Sequence, residues 1–290
     1  MKPKPLKENH VILTAMKKVF VLFSSVLLTF TLHAQDEICL TRTTEHKIQS
    51  KHLEEERAHW VSLPYNYNDS ISYPVVYVLD AEWRFELIRD IFFDLGANSV
   101  LQKSIIVGIP HVEMENKRGQ DLTFSQSRTE YDGDSVDSTW YNSSNSGGGM
   151  KFYNYLIEEL LTSMNNDYST NGQETLIGHS YGGYFAGYLL SLENPFEVLH
   201  IYDPSIWYSD GEVVHQLKEA NYSKPTKIYL TYQPEPAFHK NKVEEFIEEL
   251  KSHSTISLDL KFYPDYSHNG LFLDSFYNGV LITNTPPYEE

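Results

Sequence analysis

The 290-residue chain has a single cysteine, Cys39, so it can close no disulfide within itself and must be held by its core. Positive charge is scarce as well. Lys plus Arg number 23 against 40 Asp plus Glu, a formal net charge of −17. A chain of that sign lacks the basic face needed to track phosphates, so nucleic acid is not expected as a partner and an anionic membrane surface is disfavoured. No stretch reaches the roughly 20 apolar residues that span a bilayer. No unit of 20 to 50 residues repeats. Metal signatures of the Cys-x-x-Cys and His-Glu-x-x-His kinds are missing, and neither a metal nor an organic cofactor is expected. With 13 Pro, 15 Gly, 41% hydrophobic and 22% charged residues, the composition is that of a globular protein rather than a fibre or a disordered tail.

The start of the chain has a different character. Met16-Lys17-Lys18 precedes a 14-residue, mostly apolar run from Val19 to Leu32, and His33-Ala34-Gln35 follows with a small residue at a cleavage position. This reads as a secretory signal, too short for an anchor. Residues 1–34 are therefore expected to be upstream sequence and cleaved signal, and residues 35–290 a single domain. The product would be exported, periplasmic or secreted, with no stable membrane insertion afterwards. Its balance would be 18 Lys plus Arg against 39 Asp plus Glu, or −21. Cys39 would stand at the new N-terminus behind Asp36-Glu37-Ile38, a setting that suits neither a lipid anchor nor a thiol nucleophile.

From Ile71 onward, short apolar runs alternate with amphipathic stretches. Val75–Leu79, Ile105–Ile109, Thr175–Ile177, Val198–Tyr202 and Ile228–Tyr232 are continuous runs rich in β-branched and aromatic residues, as in strands buried on both faces. Between them Phe152, Leu156 and Leu160, and later Val243, Phe246, Ile247 and Leu250, keep helical spacing. This alternation predicts a parallel sheet covered on both sides. Glu56–Leu63 is expected to add antiparallel edge pairing. The segment Ser125–Gly149, rich in Ser, Asp and Asn and ending in three glycines, is expected to be a loop, either a solvated insertion or a lid carrying Trp140 and Tyr141.

Gly178-His179-Ser180-Tyr181-Gly182 fits Gly-x-Ser-x-Gly, directly after one strand candidate and before the helical run Tyr184–Leu192. In that placement the pattern has a mechanism: the sharp turn pushes the serine hydroxyl out at the C-terminal edge of the sheet. Ser180 is thus a candidate nucleophile. A serine needs a base, and the base needs an acid to fix its tautomer; in this kind of site they follow in the order Ser, Asp or Glu, His. His268 is the expected base, in the loop leaving the last strand, Ile256–Phe262. Glu235 is the expected acid because it is the first carboxylate after Ile228–Tyr232, with Asp265 as fallback. The oxyanion hole should combine the backbone amides of Tyr181 and Glu82, with Ala81 as second choice.

Several segments together resemble the esterase branch of the α/β-hydrolases, which holds siderophore esterases, feruloyl-type esterases, S-formylglutathione hydrolase and mycolyltransferases. They are Tyr73–Asp80, Arg118-x-x-Asp121-Leu122-Thr123, Gly147–Gly149 with the helix Lys151–Leu161, Gly178–Gly183, Asp203-Pro204-Ser205-Ile206-Trp207 and His268. The resemblance runs from about Glu56 to Leu281 and is strongest to the siderophore-esterase-like subgroup. It implies a three-layer α/β-hydrolase sandwich, with a mainly parallel twisted sheet and antiparallel N-terminal edge strands. It also implies hydrolysis of a small-molecule carboxylic ester through an acyl-enzyme on Ser180. The same residues would serve acyl transfer, and an inactive binding protein on this fold is a third reading. Four positions depart from the family pattern: Ala81 in place of Gly, Phe124 in place of Pro, Asp203 in place of Ser, and Gln233-Pro234-Glu235-Pro236 in place of a Gly-containing acid turn. Arg118 is expected to pair with Asp121 or to bind an anionic group of the substrate, and Trp140 and Tyr141 to close on the bound ester.

Overall fold

In the computed structural model the residues described are 42–111 and 117–286. The proposed signal, its cleavage point and Cys39 lie outside them.

Eight strands form one sheet: β1 (Thr43–Gln49), β2 (Glu56–Ser62), β3 (Tyr73–Leu79), β4 (Ile105–Ile109), β5 (Thr170–His179), β6 (Val198–Tyr202), β7 (Thr226–Tyr232) and β8 (Ile256–Phe262). Their spatial order is β1-β2-β4-β3-β5-β6-β7-β8. The pairs β1–β2 and β2–β4 are antiparallel and all the others parallel. The parallel sheet with an antiparallel N-terminal edge is therefore what forms. β1 was not anticipated, and the reason is visible in its composition: Thr-Thr-Glu-His-Lys-Ile-Gln is a polar edge strand with little apolar signal.

The inner parallel strands β3, β4, β6 and β7 are largely buried on both faces, and successive residues feed different cores. Val75, Tyr77 and Leu79 of β3 join one cluster, while Val76 and Val78 join the other, as the two-residue period of a strand requires. The first cluster lies under α3 (Gly149–Asn154), which continues through a π-helical turn (Tyr155–Leu160) into α4 (Leu161–Asp167). It also lies under α5 (Tyr181–Tyr188), α6 (Glu212–Glu219) and α7 (Ala237–Ser252). The second is covered by α1 (Ala81–Ala97) and α8 (Phe272–Thr283). A short helix, α2 (Lys117–Leu122), precedes the Ser125–Gly149 loop. No helix among the described residues is long and apolar enough to cross a membrane.

Parallel strands all end on the same edge, so the segments after β3, β5, β6, β7 and β8 gather there. Asp80, Ser180, Asp203, Gln233 and His268 come from those five, and the Ser125–Gly149 loop, which follows β4, adds to the cavity wall.

Candidate active site

Ser180 is the single residue between the last residue of β5 and the first of α5, held at φ 60°, ψ −120°. A serine rarely adopts positive φ, and the surroundings fix it there. Its N–H donates to the Tyr202 carbonyl at 3.1 Å, and its own carbonyl accepts from Ser205 N at 3.0 Å and Tyr184 N at 2.9 Å. Gly178 is what lets the chain close so tightly, because a Cβ there would collide with the Gly182 carbonyl. The Ser180 hydroxyl is 3.3 Å from that of Ser205. The turn starts α5, and helical amides in a first turn, Tyr181 N–H among them, have no intrahelical acceptor.

His268 sits in the loop after β8 and faces a carboxylate other than the expected one. Its Nδ1–H donates to Asp203 Oδ2 at 2.7 Å. Asp203 follows β6 directly, with a left-handed φ of 40°, and its side chain is fully buried. Burial alone would raise its pKa, but hydrogen bonds from His239 and His268 outweigh burial and bring it down to about 2. Glu235, the expected acid, is an exposed residue whose backbone is tied to Gln233. It remains beside the site as part of the cavity wall. The physical reason for the correction is reach: Asp203 passes beneath the end of β7, where the Gln233 N–H meets its Oδ1 at 3.2 Å. Asp265 is exposed and takes no part in this pair.

Two further histidines brace this pair. His179 stacks on His268 with ring centroids 4.4 Å apart, and its Nε2–H donates to the His268 carbonyl at 2.8 Å. Burial, with His268 as a neighbour, lowers the His179 pKa to about 3, so this ring is a neutral support. His239, buried at the start of α7, meets Asp203 Oδ1 through Nε2 at 2.9 Å. By contrast His200, inside β6, is a core residue.

Ser180 and His268 open onto a cavity of about 340 Å³ shared with Tyr181, Ser205, Trp207, Gln233 and His239. The Ser125–Gly149 loop lends it Glu130 and Tyr131. That segment has no helix or strand of its own beyond one bridge, Thr129 to Ser135, in keeping with the loop expected there. Trp140 is on the outside, 61% exposed, and takes no part in the wall. Tyr141 acts one step back: its hydroxyl donates to Glu130 at 2.6 Å and lies 3.3 Å from the Tyr181 hydroxyl. The aromatic contribution of the loop is thus Tyr131. Sequence pointed to Trp140 and Tyr141 as the aromatics of this loop, and it carries no information on which way each side chain faces.

The segment after β3 is fixed by charge. Asp80, at a left-handed φ of 55°, accepts from Arg118 Nε at 2.6 Å and Arg118 Nη2 at 2.9 Å. Arg118 therefore pairs with Asp80. Asp121, the expected partner, is bound by Arg57 Nη2 at 2.7 and 2.8 Å and by His111 Nδ1 at 2.9 Å. His111 stands between the two carboxylates, its Nε2 3.4 Å from Asp80 Oδ1; burial works against its cation, but the hydrogen bond with Asp121 and the adjacent Asp80 carboxylate prevail and raise its pKa to about 9. The segment packs on the Ser180 turn, since a Cβ at Gly182 would stand 3.4 Å from Leu79 and 3.5 Å from the Asp80 carboxylate. Ala81 and Glu82 open α1 at this point, and neither is part of the cavity wall. No group of three His, Cys, Asp or Glu side chains placed to hold a metal occurs among the described residues.

A family model described as "Putative esterase" matches residues 50–270. No protein of curated function matches the chain in sequence. Among solved structures, an IroE-like serine hydrolase from Shewanella oneidensis is similar at 25% identity and TM-score 0.73, over 83% of this chain and 79% of that one. The siderophore hydrolase EstA from Aspergillus nidulans shares the fold at 17% identity and TM-score 0.69, over 84% and 94% of the two chains. The enterobactin esterase FES from Shigella flexneri shares it at 17% identity and TM-score 0.66, over 84% of this chain and 59% of that one.

Proposed function

The chain belongs to this esterase family, with the α/β-hydrolase fold of its structural neighbours, and we propose that it is a serine hydrolase acting on a carboxylic ester through an acyl-enzyme on Ser180. The observation that carries the reading is the His268–Asp203 pair, which opens onto the same cavity as a serine held in a sharp strand-to-helix turn.

In this mechanism His268 Nε2 takes the Ser180 proton as Oγ attacks the ester carbonyl, and Asp203 stabilises the imidazolium while keeping the remaining proton on Nδ1. The tetrahedral oxyanion is met by the Tyr181 N–H and by a second amide from the start of α1, Glu82 or Ala81. His268 then returns its proton to the leaving alkoxide, and water repeats the cycle on the acyl-enzyme. Transfer to another alcohol would use the same groups. The Ser205 hydroxyl lies within hydrogen-bond reach of the resting Ser180 oxygen, and Tyr131 with Trp207 offers apolar surface to the acyl or alkyl part. Arg118, engaged through two nitrogens by Asp80, supports the segment after β3 in this reading and leaves a substrate anion to be held by other means. The carboxylates of Glu130 and Glu235 on the wall favour neutral or cationic esters. The siderophore hydrolases among the structural neighbours make a siderophore-type ester worth testing beside simple aryl acetates. Action after export from the cell follows from the N-terminal sequence.

The test is covalent. An organophosphonate ester should add once, on Ser180, and abolish turnover of 4-nitrophenyl acetate; Ser180→Ala should neither label nor turn over. Labelling that persists unchanged in Ser180→Ala removes the nucleophile, and an intact protein that never labels is better read as a binding protein on this fold.

A further inference from the structure

The acid of the site serves two histidines. His239 Nε2 lies 2.9 Å from Asp203 Oδ1, and His268 Nδ1 lies 2.7 Å from Oδ2. The two rings are nearly perpendicular, at 87°, with centroids 6.4 Å apart. An ionised carboxylate can only accept, so both nitrogens facing it carry protons. The Gln233 amide adds a second donor to Oδ1 at 3.2 Å.

The terminal torsion of an aspartate is soft, with no steep staggered wells to hold it. Something else must decide which way the Asp203 carboxylate faces. Oδ1 is secured by donors from β7 and α7, and Oδ2 is thereby left facing the β8 loop. His268 alone could not do this, because it sits on a loop and its side chain is 39% exposed. His239, by contrast, is buried on a helix whose Val243, Phe246, Ile247 and Leu250 are all in the core.

We propose that His239 is a positioning residue: it sets the rotation of the Asp203 carboxylate and shares its negative charge, so that His268 is held in the productive tautomer. The proposal rests on the serine-hydrolase reading of the site. It has a consequence for the base. Without the Nε2–H donor, more of the Asp203 charge falls on His268, whose cation is then favoured. The charged and titratable groups around the pair are His179 stacked on His268, Arg84 near His179, and Glu130 and Glu235 on the cavity wall. A change confined to His239 leaves all of these in place.

Two variants separate positioning from packing. His239→Leu fills the space with no donor, and His239→Gln offers an amide N–H to the same oxygen. With a small acetyl ester, His239→Leu should lower kcat about tenfold at nearly constant KM and raise the pKa on the acid limb of kcat/KM. His239→Gln should recover kcat to within about threefold and restore the wild-type pKa. Proton NMR gives a reading that needs no substrate: the low-field His268 Nδ1 proton should move in His239→Leu and return in His239→Gln. Equal losses in both variants with an unmoved kinetic pKa would overturn the proposal, as would an unchanged low-field proton in His239→Leu. If His239→Leu does not fold, a folded His239→Gln that loses tenfold or more in kcat is enough to reject it. An intact protein that turns over no ester defeats the esterase reading, while the low-field proton still decides whether His239 holds the Asp203–His268 pair.

Discussion

Asp203→Asn is the most telling substitution, because it keeps the shape of the side chain and the surroundings decide which way the new amide must face. Two donors converge on Oδ1, the His239 Nε2–H at 2.9 Å and the Gln233 backbone N–H at 3.2 Å, against one on Oδ2, the His268 Nδ1–H at 2.7 Å. The backbone donor cannot change its proton. An asparagine therefore places its carbonyl oxygen where Oδ1 was and turns its NH2 group toward His268. Facing a donor, Nδ1 must give up its proton, which moves to Nε2, the nitrogen that has to accept the serine proton. The imidazole is then the wrong tautomer and its cation has no counter-charge. In serine proteases the equivalent change lowers kcat by about 10⁴, or roughly 5.5 kcal/mol of barrier, and the same order is expected here. The assay is steady-state hydrolysis of 4-nitrophenyl acetate by wild type, Asp203→Asn and Glu235→Gln, with thermal unfolding alongside to show that the fold persists. Glu235→Gln should stay within about threefold of wild type, since its carboxylate has no hydrogen bond to His268. A loss under threefold in Asp203→Asn, or one of a hundredfold in Glu235→Gln, refutes the assignment of the acid.

Two other expectations follow from the same geometry. Tyr131→Ala should raise KM for bulky aryl esters about tenfold, equivalent to roughly 1.4 kcal/mol of contact, and leave a small acetyl ester nearly unchanged; Trp140→Ala should alter neither, and equal effects of Tyr131→Ala on both esters would mean a local fold defect. His111, raised from 6.5 to about 9 in the fold, contributes stability that is complete below pH 6.5 and lost as pH rises through 9, at most about 3 kcal/mol. Glu174, raised to about 7, loses its share at lower pH, and the buried His59, His179 and His200 are lowered and titrate below that window. Urea unfolding between pH 7 and 9.5 should therefore show a declining stability in wild type and a flatter one in His111→Gln; parallel curves would remove His111 from the account.

Much of the fold was legible because its strands are continuous apolar runs. β4, β6 and β8 fall where hydrophobicity placed them, and β3, β5 and β7 differ only at their ends. The Ser180 turn could be read because a mechanism requires glycine around it, and close packing at Gly178 and Gly183 is that mechanism at work. The charged chain Arg57–Asp121–His111–Asp80–Arg118 was not legible. Its members lie up to 64 residues apart in sequence, and nothing local says which carboxylate each cation will meet. His239 was not legible for a related reason: on a helix its surroundings depend on which face turns inward, and Asp203 lies 36 residues away in sequence.

The carboxylate that meets His268 was in view in the sequence. The order Ser, acid, His holds for Ser180, Asp203 and His268 as well as for Ser180, Glu235 and His268, so order alone could not choose. Burial can. An aspartate at the C-terminal end of β6, between β5 and β7 in the sheet, loses its water on folding and is costly unless donors replace it. Glu235 is under no such pressure, because Gln233-Pro234-Glu235-Pro236 projects from the end of β7 and leaves its carboxylate in water. An exposed carboxylate can orient a histidine only weakly, since solvent competes for both partners. The departure from the family pattern at Asp203 was thus the informative signal. Where a hydroxyl is usual, a charge at the buried end of a central strand needs a partner, and here two histidines answer it.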